Sequence, residues 1–501
     1  MLSDSRLWLR KFVAFGSAKV CAPSRFRVDE WTTFHQGKRT ATLLLRIGCE
    51  FIVNGLRVGR HCARKFRMSK QKSQIVRQAR VSRPERTQVE MQFFALDQLL
   101  EADHRARLIW AYVESLDLDP FYAKIRVSDS QVGRSAIAPE VLLALWLLAT
   151  TDGYASAREL ARLTEEHIAY RWMCGGVSVN YHTLSDFRSQ NGQALEKILI
   201  DSVASLIKQE LIPLETIAQD GMRVRANAGK GSFRRKPTLE QLQRQAEAHL
   251  EKLKQESNSE SERIAGEAKR KAARQRAADD RAQRIEEALK QHNELSQRRE
   301  KRAKGSGDET RISTTDPDAR NMKMANGGFS PALNVQFSTD ADTRIIVAVE
   351  VSNEGTDGGE LAPMQEEVIK NYGKTPEHVL VDSAYATKEG VTAVEENGSK
   401  VVSTVPRTEQ LAKHGKDAHE RQKGDTDQYA NFRARMKDAD YKKMYKLRPS
   451  IAEYPNAVCR NRGLQQFNVR GMVKAKAVVL LHVLAYNLTR MLNLGFMCPK
   501  R

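Results

Sequence analysis

A short apolar run that ends in an acid, within residues 378–387, constrains the fold more than any other stretch. Residues 379–381 are Val, Leu and Val, a pattern typical of a strand buried on both faces. Asp382 follows where this strand must end, and Thr387 is placed to cap a helix over 388–397. A carboxylate at the carboxyl end of a buried strand faces the crevice in which open α/β sheets bind ligands. The alternative is that Asp382 only caps the next helix.

The charge balance indicates a polyanionic partner. The 501-residue chain carries 82 Lys and Arg against 62 Asp and Glu, a net charge of +20 with a pI near 9.6. A field of that sign attracts phosphate-rich surfaces, as it does in ribosomal, membrane-surface and DNA-processing proteins. The length allows about three domains, and the 41% hydrophobic content is enough for a sizeable core.

Residues 1–67 differ from the rest of the chain. They hold 14 Lys and Arg against 4 Asp and Glu, and no helical or strand period runs through them. We interpret them as a basic appendage, mis-started or disordered, outside the functional protein; a basic DNA-binding arm is the alternative. The six cysteines lack paired spacing, which argues against a disulfide framework or a zinc site. We find neither a convincing signal peptide nor an apolar run of about 18 residues, so we expect a cytoplasmic protein without membrane contact.

Helical periodicity marks an N-terminal region, to which we assign residues 68–212. Residues 139–149 and 156–166 are predicted helices. The turn Cys174-Gly175-Gly176 then precedes a polar helix that begins near Tyr181. This order predicts a DNA-binding helix-turn-helix, and a helical bundle without groove contact is the alternative. The side chains expected to contact DNA are His182, Ser185 and Arg188.

Two segments of different character follow. Residues 215–226 alternate in the manner of a strand, with Asp220 near the middle. Because Asp220-Gly221 is also a strong hairpin dipeptide, a turn at that point is the alternative. Residues 233–306 are rich in charge and carry leucines at spacings of three and four. That pattern predicts an exposed helical or coiled-coil hairpin.

The rest of the chain mixes strands and helices. Predicted strands cover 332–337 and 344–351, as a hairpin, and 401–405; predicted helices cover 360–370 and 471–492. Residues 407–440 are highly charged and poorly periodic. Pro449 suits the first turn of another helix, with Glu453 just inside it, and Pro455 predicts a kink or a late start.

Three acids therefore stand in separate elements, and a mixed sheet with helices can bring Asp220, Asp382 and Glu453 to one edge. Hard cations such as Mg²⁺ prefer oxygen ligands and keep several waters, so two or three carboxylates plus substrate phosphates suffice. Two such ions roughly 3.5–4 Å apart can activate an attacking oxygen and stabilise the leaving one at phosphorus. Carboxylates this close repel one another without metal, so a metal cluster explains them better than an acid–base pair.

Specific motifs accompany these acids. Residues 220–228 are DGMRVRANA, residues 379–385 are VLVDSAY, and Tyr445, Arg448 and Glu453 occur in that order. The first two resemble the first- and second-aspartate motifs of bacterial insertion-sequence transposases of the DDE class, and the third resembles their tyrosine–arginine–glutamate signature. Further stretches that resemble the family are 315–320 (TDPDAR), 333–336 (LNVQ), 470–471 (RG) and 485–490 (AYNLTR).

The resemblance covers about residues 89–492 and implies an α/β, ribonuclease H-like fold. That fold is a mixed sheet with helices, here preceded by an all-α N-terminal domain and interrupted by a helical or coiled-coil insertion. The resemblance implies that Asp220, Asp382 and Glu453 hold two Mg²⁺ ions, which Mn²⁺ can replace. It also implies that other side chains support the site or contact DNA phosphates. These are Tyr445, Arg448 and Arg460.

The chain departs from the family pattern around its third acid. Four residues separate Arg448 from Glu453, where some related groups have three. Pro449 and Pro455 flank the glutamate, and Asn456 stands where an aromatic residue is expected.

These observations favour one function over two rivals. The main hypothesis is a transposase, acting as a homo-oligomer, that binds its element's terminal inverted repeats in double-stranded DNA and cleaves and joins strands. Its catalytic domain is assigned to 213–492 and a tail to 493–501. The first rival is a helix-turn-helix regulator with a coiled-coil arm, which leaves the three acids without a role. The second rival is a ribonuclease H-like nuclease that cuts without joining.

Overall fold

The computed structural model describes residues 93–125, 135–259 and 265–496. The predictions for residues 1–67 and for the polar segment that follows lie outside the described residues. All described residues belong to one compact unit, Val89–Arg501.

Helices form the first part of this unit. The longest apolar one, at 139–152, is buried on nearly all sides, and Gly153 ends it in the left-handed conformation at φ 85°. Ser156 caps the next helix by accepting from the Glu159 N–H. The predicted helices at 139–149 and 156–166 are thus confirmed. The seven helices here are α1 Arg105–Glu114, α2 Asp119–Tyr122, α3 Pro139–Asp152, α4 Ala157–Glu166, α5 Ile168–Cys174, α6 Tyr181–Gln190 and α7 Gly192–Lys208.

A mixed sheet forms the second part. Its strands are β1 Thr216–Arg225, β4 Arg320–Lys323, β5 Phe329–Asp340, β6 Ile346–Ser352, β7 His378–Leu380 and β8 Lys400–Val402, while β2 Phe233–Arg234 and β3 Ile312–Ser313 make a separate pair. Strand β5 pairs antiparallel with β1 on one side and with β4 and β6 on the other. Strands β1, β7 and β8 are parallel.

In this sheet one sequence-based alternative fails and one predicted hairpin has different bounds. Strand β1 continues through Asp220-Gly221, with Asp220 opposite Phe337, so the hairpin turn considered there is wrong. The predicted hairpin is confirmed, because β5 and β6 pair antiparallel, but its connection begins later than predicted since β5 extends to Asp340. Polar residues at 338–340 resemble a turn in sequence, yet they are buried, and the Asp340 carboxylate accepts from the N–H and hydroxyl of Thr343.

The charged insertion is an arm of two helices, α8 Lys236–Ser259 and α9 Ala265–Arg302, which pack against each other. This confirms the helical prediction for 233–306. A small apolar cluster lies at its base, formed by Leu239, Ala288 and Ile312. Most other described side chains of the arm are exposed or half-buried.

The C-terminal part contains more helices than predicted. They are α10 Leu361–Tyr372, α11 Lys388–Glu396, α12 Thr408–Lys413, α13 Asp427–Arg435, α14 Ala439–Tyr445, α15 Tyr454–Asn461 and α16 Met472–Asn493, with a π-helical turn at Pro449–Glu453. Sequence periodicity missed α12 and α13. The π-helical turn lies where Pro455 predicts a kink or late start.

Helix α16 joins the helical part to the sheet. It packs against α3, α6 and α7 on one side and β6 on the other, so one apolar core runs through both parts. Within the described residues it is the one helix long and apolar enough to cross a membrane, and 67% of its most apolar window is buried inside the protein. Core packing therefore accounts for its hydrophobicity.

Candidate active site

The first two acids follow neighbouring strands of the sheet. Strands β1 and β7 run parallel, and Ala218 is paired with Leu380. Two residues further along, Asp220 lies in the middle of β1 and Asp382 lies just beyond the end of β7, in segments that continue from neighbouring strands about 4.8 Å apart. The prediction that these two distant acids meet stays a prediction.

Asp382 is exposed to solvent just after the end of β7. Its Oδ1 accepts a hydrogen bond from the Ser383 N–H at 2.7 Å, and its carbonyl accepts from the Tyr385 N–H at 3.0 Å. The cap of α11 is Thr387, whose hydroxyl oxygen accepts from the Gly390 N–H at 3.1 Å. The alternative that Asp382 merely caps this helix is therefore wrong.

Asp220 is in a different environment, with both carboxylate oxygens engaged. Its Oδ1 accepts from Arg448 Nη2 at 2.9 Å, and its Oδ2 accepts from Asn456 Nδ2 at 2.8 Å. Burial raises the pKa of Asp220, and the positive charge of Arg448 opposes that rise. The unexpected asparagine at 456 thus has a definite partner, the first acid.

Glu453 is connected to Asp220 through the same arginine. It ends the π-helical turn, which contacts β1 and β5, and its side chain is 62% exposed. Arg448 Nη1 lies 3.6 Å from Glu453 Oε1. The negative charge of Glu453 also contributes to the raised pKa of Asp220. A single guanidinium therefore contacts both acids.

The carboxylate oxygens of the three acids suit a hard divalent cation, although the three side chains do not surround one point in this structure. Within the described part of the chain, no three His, Cys, Asp or Glu side chains are close enough to hold one metal ion. Oxygen donors of this kind are those that Mg²⁺ prefers. A positive group, the Arg448 guanidinium, already lies between Asp220 and Glu453. The position is thus built to accept positive charge, and Asp382 follows the strand that pairs with β1.

The other two predicted supporting residues lie on neighbouring helices. Tyr445 ends α14 and is half-buried against the apolar core. Arg460 lies in the last turn of α15 and is half-buried. Arg448 is the supporting residue whose side chain directly contacts two of the acids.

A polar network behind Asp220 was not predicted as part of the site. The Asp357 carboxylate accepts from Asn334 at 2.7 Å and from Gln336 at 3.1 Å, and it pairs with Arg223 at 3.4 Å. Asn334 and Gln336 belong to the LNVQ stretch, whose two polar side chains at alternate positions on an otherwise apolar strand were the available signal.

This network also fixes the turn that carries Asp382. The Tyr385 hydroxyl donates to Gln336 Oε1 at 2.7 Å. Gly221 is required beside it, because a Cβ there would clash with Gln336 Nε2 and lie 2.8 Å from the Tyr385 hydroxyl. The residue after the first acid thus allows the segment after the second acid to pack against the sheet.

The helix that was predicted to contact DNA is present as α6, but the prediction for one of its three contact residues is corrected. His182 is exposed and packs on Tyr181 at 4.0 Å between ring centroids. Ser185 lines a cleft of about 590 Å³ between α6 and the arm. Arg188 is buried: its Nη1 donates to the Ala155 carbonyl at 2.5 Å, and its guanidinium lies 4.7 Å from the Trp146 ring centroid. Because these contacts bury its charge in the core, Arg188 cannot be a groove contact.

A second cavity, of about 820 Å³, lies between α9 and the sheet. Its basic side chains outnumber its acidic ones by seven to four. The basic set is Lys230, Lys290, Arg298, Arg299, Arg302, Arg311 and Arg320. The acidic set is Glu287, Glu294, Glu309 and Glu354.

The TDPDAR stretch connects the arm to the core. Asp316 Oδ1 accepts from the Gly471 N–H at 3.2 Å, and Asp318 Oδ2 accepts from the Met472 N–H at 2.9 Å, so both cap α16. Asp318 Oδ1 also accepts from Gln291 of α9 at 2.7 Å. Segments that resemble the family are therefore in contact with one another.

Two family models match the chain. A model described as Transposase domain (DUF772) matches residues 94–190, and one described as Transposase DDE domain matches residues 301–488. No curated protein and no solved structure matches the chain. The second model includes Asp382 and Glu453, whereas Asp220 lies between the two matched ranges and is connected to the site by strand register. With its ribonuclease H-like sheet and these two matches, the chain belongs to the insertion-sequence transposases of the DDE class.

Proposed function

We propose that this transposase binds the terminal inverted repeats of its own element and catalyses metal-dependent DNA strand cleavage followed by strand transfer. The observation that supports the proposal is the parallel pairing of β1 with β7, in which Asp220 and Asp382 each follow the paired residues Ala218 and Leu380 by two positions. Glu453 is connected to Asp220 through Arg448. We assign the three acids as the ligands of two Mg²⁺ ions, replaceable by Mn²⁺.

The bound ions would supply activation of the attacking oxygen and stabilisation of the leaving one. The chain's own groups then have distinct tasks. Exposed Asp382 is open to the substrate, whereas half-buried Asp220 is fixed within β1. A water attacks the phosphodiester at each element end and releases a 3′-hydroxyl, and that hydroxyl attacks the target strand in the same site.

Positively charged groups around these acids would hold the DNA backbone. Arg448 and Arg460 are assigned to phosphates, with Tyr445 supporting the turn between them. The basic cavity between α9 and the sheet, and exposed His182 with Ser185 on α6, offer further contact surfaces. Because such binding releases counterions, affinity should fall steeply as salt rises. We place the protein in the bacterial cytoplasm on nucleoid DNA, acting as a homo-oligomer.

Asp382→Asn tests the proposal directly. The change removes one negative charge at an exposed position without altering side-chain size, so folding and DNA binding should persist while cleavage is lost. The assay incubates the full chain and Mg²⁺ with duplexes from the DNA flanking the reading frame, and scores nicked and joined products. Asp342→Asn, in the exposed turn between β5 and β6, is the matched control and should cleave normally.

The same assay separates the rivals. Wild-type binding without any nicked product would favour a non-catalytic regulator. Nicking without joined product would favour a nuclease that does not transfer strands. Equal cleavage by Asp382→Asn and the wild type would overturn the assignment of this acid.

A further inference from the structure

The guanidinium of Arg448, which lies between the first and third acids, is buried. Arg448 is 7% exposed, and its two terminal nitrogens reach Asp220 at 2.9 Å and Glu453 at 3.6 Å. Glu453 itself is largely exposed. The guanidinium is thus held inside the protein by the acids that the proposed function assigns to metal ions.

This pairing leaves hydrogen-bonding capacity unused. Arg448 Nε and Asn456 Oδ1 are both buried without a partner, although each belongs to a side chain that contacts Asp220. Because Asp220 only accepts hydrogen bonds, the Asn456 amide must turn its nitrogen toward it and leave its oxygen unpaired. A buried donor or acceptor without a partner destabilises the folded state. The arrangement is therefore poorly satisfied for a purely structural ion pair.

A metal ion and Arg448 cannot both occupy Asp220 at low cost. A divalent cation on this carboxylate would stand within a few ångströms of the guanidinium, and like charges at that separation repel strongly in a partly buried site. While Arg448 remains, the acids also stay apart, in agreement with the absence of a three-acid cluster among the described residues. Removal of the guanidinium is thus a condition for closing the site.

We propose that Arg448 is a built-in counter-ion that occupies Asp220 until DNA arrives, so that metal binding is weak in the free protein and strong in the DNA complex. This inference rests on the proposed function, because it takes the acids as metal ligands. A DNA phosphate offers the guanidinium a bidentate partner of the kind it prefers. When Arg448 moves to that phosphate, Asp220 and Glu453 become free together. The protein thereby avoids assembling a DNA-cutting site before its substrate is bound.

The position of Arg448 suits such a movement. It immediately precedes the π-helical turn at Pro449–Glu453, and π-helical turns occur frequently at functional sites. A change in its side-chain torsions is enough to release Asp220, since the carboxylate itself is fixed in β1. Glu453, at the other end of the turn, is exposed and free to approach.

The test measures Mn²⁺ affinity of the full chain by electron paramagnetic resonance, with and without a duplex from the flanking DNA. For Arg448→Gln without DNA, we expect affinity about tenfold tighter than for the wild type, because no cation has to be displaced. DNA should tighten Mn²⁺ binding by the wild type more than by this variant, because only the wild type has a cation for DNA to draw away from Asp220. Lys446→Gln, an exposed charge two residues away, controls for general charge loss and should change affinity less than twofold.

Each outcome decides a different point. Equal or weaker Mn²⁺ binding by folded Arg448→Gln would overturn the counter-ion role, with the proposed function intact. No Mn²⁺ binding by any form, even with DNA, would overturn the proposed function itself. If Arg448→Gln does not fold, the wild type decides, because Mn²⁺ affinity that is unchanged by DNA contradicts the inference. Arg448→Lys keeps the charge without the fork, and it should bind Mn²⁺ more tightly than the wild type, by less than tenfold.

Discussion

The shared core and the two-helix arm differ in how they are held together. In the core, α3 and α16 are apolar on nearly every face, and Trp146 is 1% exposed. In the arm, α8 and α9 are rich in charged residues, and a cluster of three buried side chains, Leu239, Ala288 and Ile312, lies at the base. The core thus gains its stability from apolar burial, whereas the arm contributes charged surface beside the site.

The contrast shows where sequence change should matter for stability and where for binding. Core substitutions remove many contacts at once and leave cavities. Arm substitutions on exposed faces cost little, because their side chains are already in water. Three measurements test this division, and each has an outcome that would break it.

The largest effect is expected in the core. Trp146→Ala should lower the free energy of unfolding by about 3–5 kcal/mol, because it removes a fully buried ring and its indole hydrogen bond to the Leu184 carbonyl. Denaturant titration measures this loss. Leu289→Ala, a partly buried arm position, should cost less than about 2 kcal/mol. Equal costs at the two positions would contradict the comparison.

A pH effect of intermediate size should also come from the core. His482 on α16 is buried near Arg462 and Arg188, and burial lowers its pKa to about 3, with the two positive charges adding to the effect. The unfolded chain binds this proton near pH 6.5, whereas the folded chain does not. The contribution of His482 to the free energy of unfolding is therefore fully present above pH 6.5 and is lost progressively as the pH drops toward 3.

By pH 5 the loss from this one group is about 2 kcal/mol. Unfolding titrations between pH 8 and 5 should show it, and His482→Gln should remove that part of the slope. A variant whose stability falls as steeply as that of the wild type would exclude His482 as the source. Burial raises the pKa of Glu367 to about 7, so this carboxyl contributes in the same window with the opposite sign, and the comparison with His482→Gln isolates the histidine.

The smallest stability effect is expected at Lys290, an exposed arm residue that lines the cavity beside the sheet. Lys290→Gln should leave the free energy of unfolding within about 0.5 kcal/mol of the wild type. It should weaken DNA binding and reduce the slope of log affinity against log salt by about 1. Arg274→Gln, exposed on the same helix but outside the cavity, is the control. Identical binding losses for both variants would show that the cavity is not a specific contact.

Local signals predicted much of the fold. The run at 379–381 marked the strand, Thr387 marked a helix cap, and the apolar stretch at 139–149 marked a buried helix, because each depends on neighbours in sequence. The true extent of β5 was missed, since its buried polar end is satisfied by a partner that the pattern does not show.

The contacts of the candidate site were not predictable from the sequence. Strand patterns predicted where Asp220 and Asp382 lie in the fold, and their role as metal ligands stays a prediction. Asn456 was noted only as unusual, since its partner Asp220 is 236 positions away in the chain. Arg188 was misassigned because a basic residue on a polar helix gives no sign that its charge is buried beneath a neighbouring helix.

The chain leaves β1 at Arg225 and returns as β5 at Phe329, although these two strands are hydrogen-bonded neighbours. The arm is therefore a detour that begins and ends at nearly the same place. Its length and surface can change across generations without disturbing how the two strands align. Changes within the arm therefore need not reach the strand that carries Asp220.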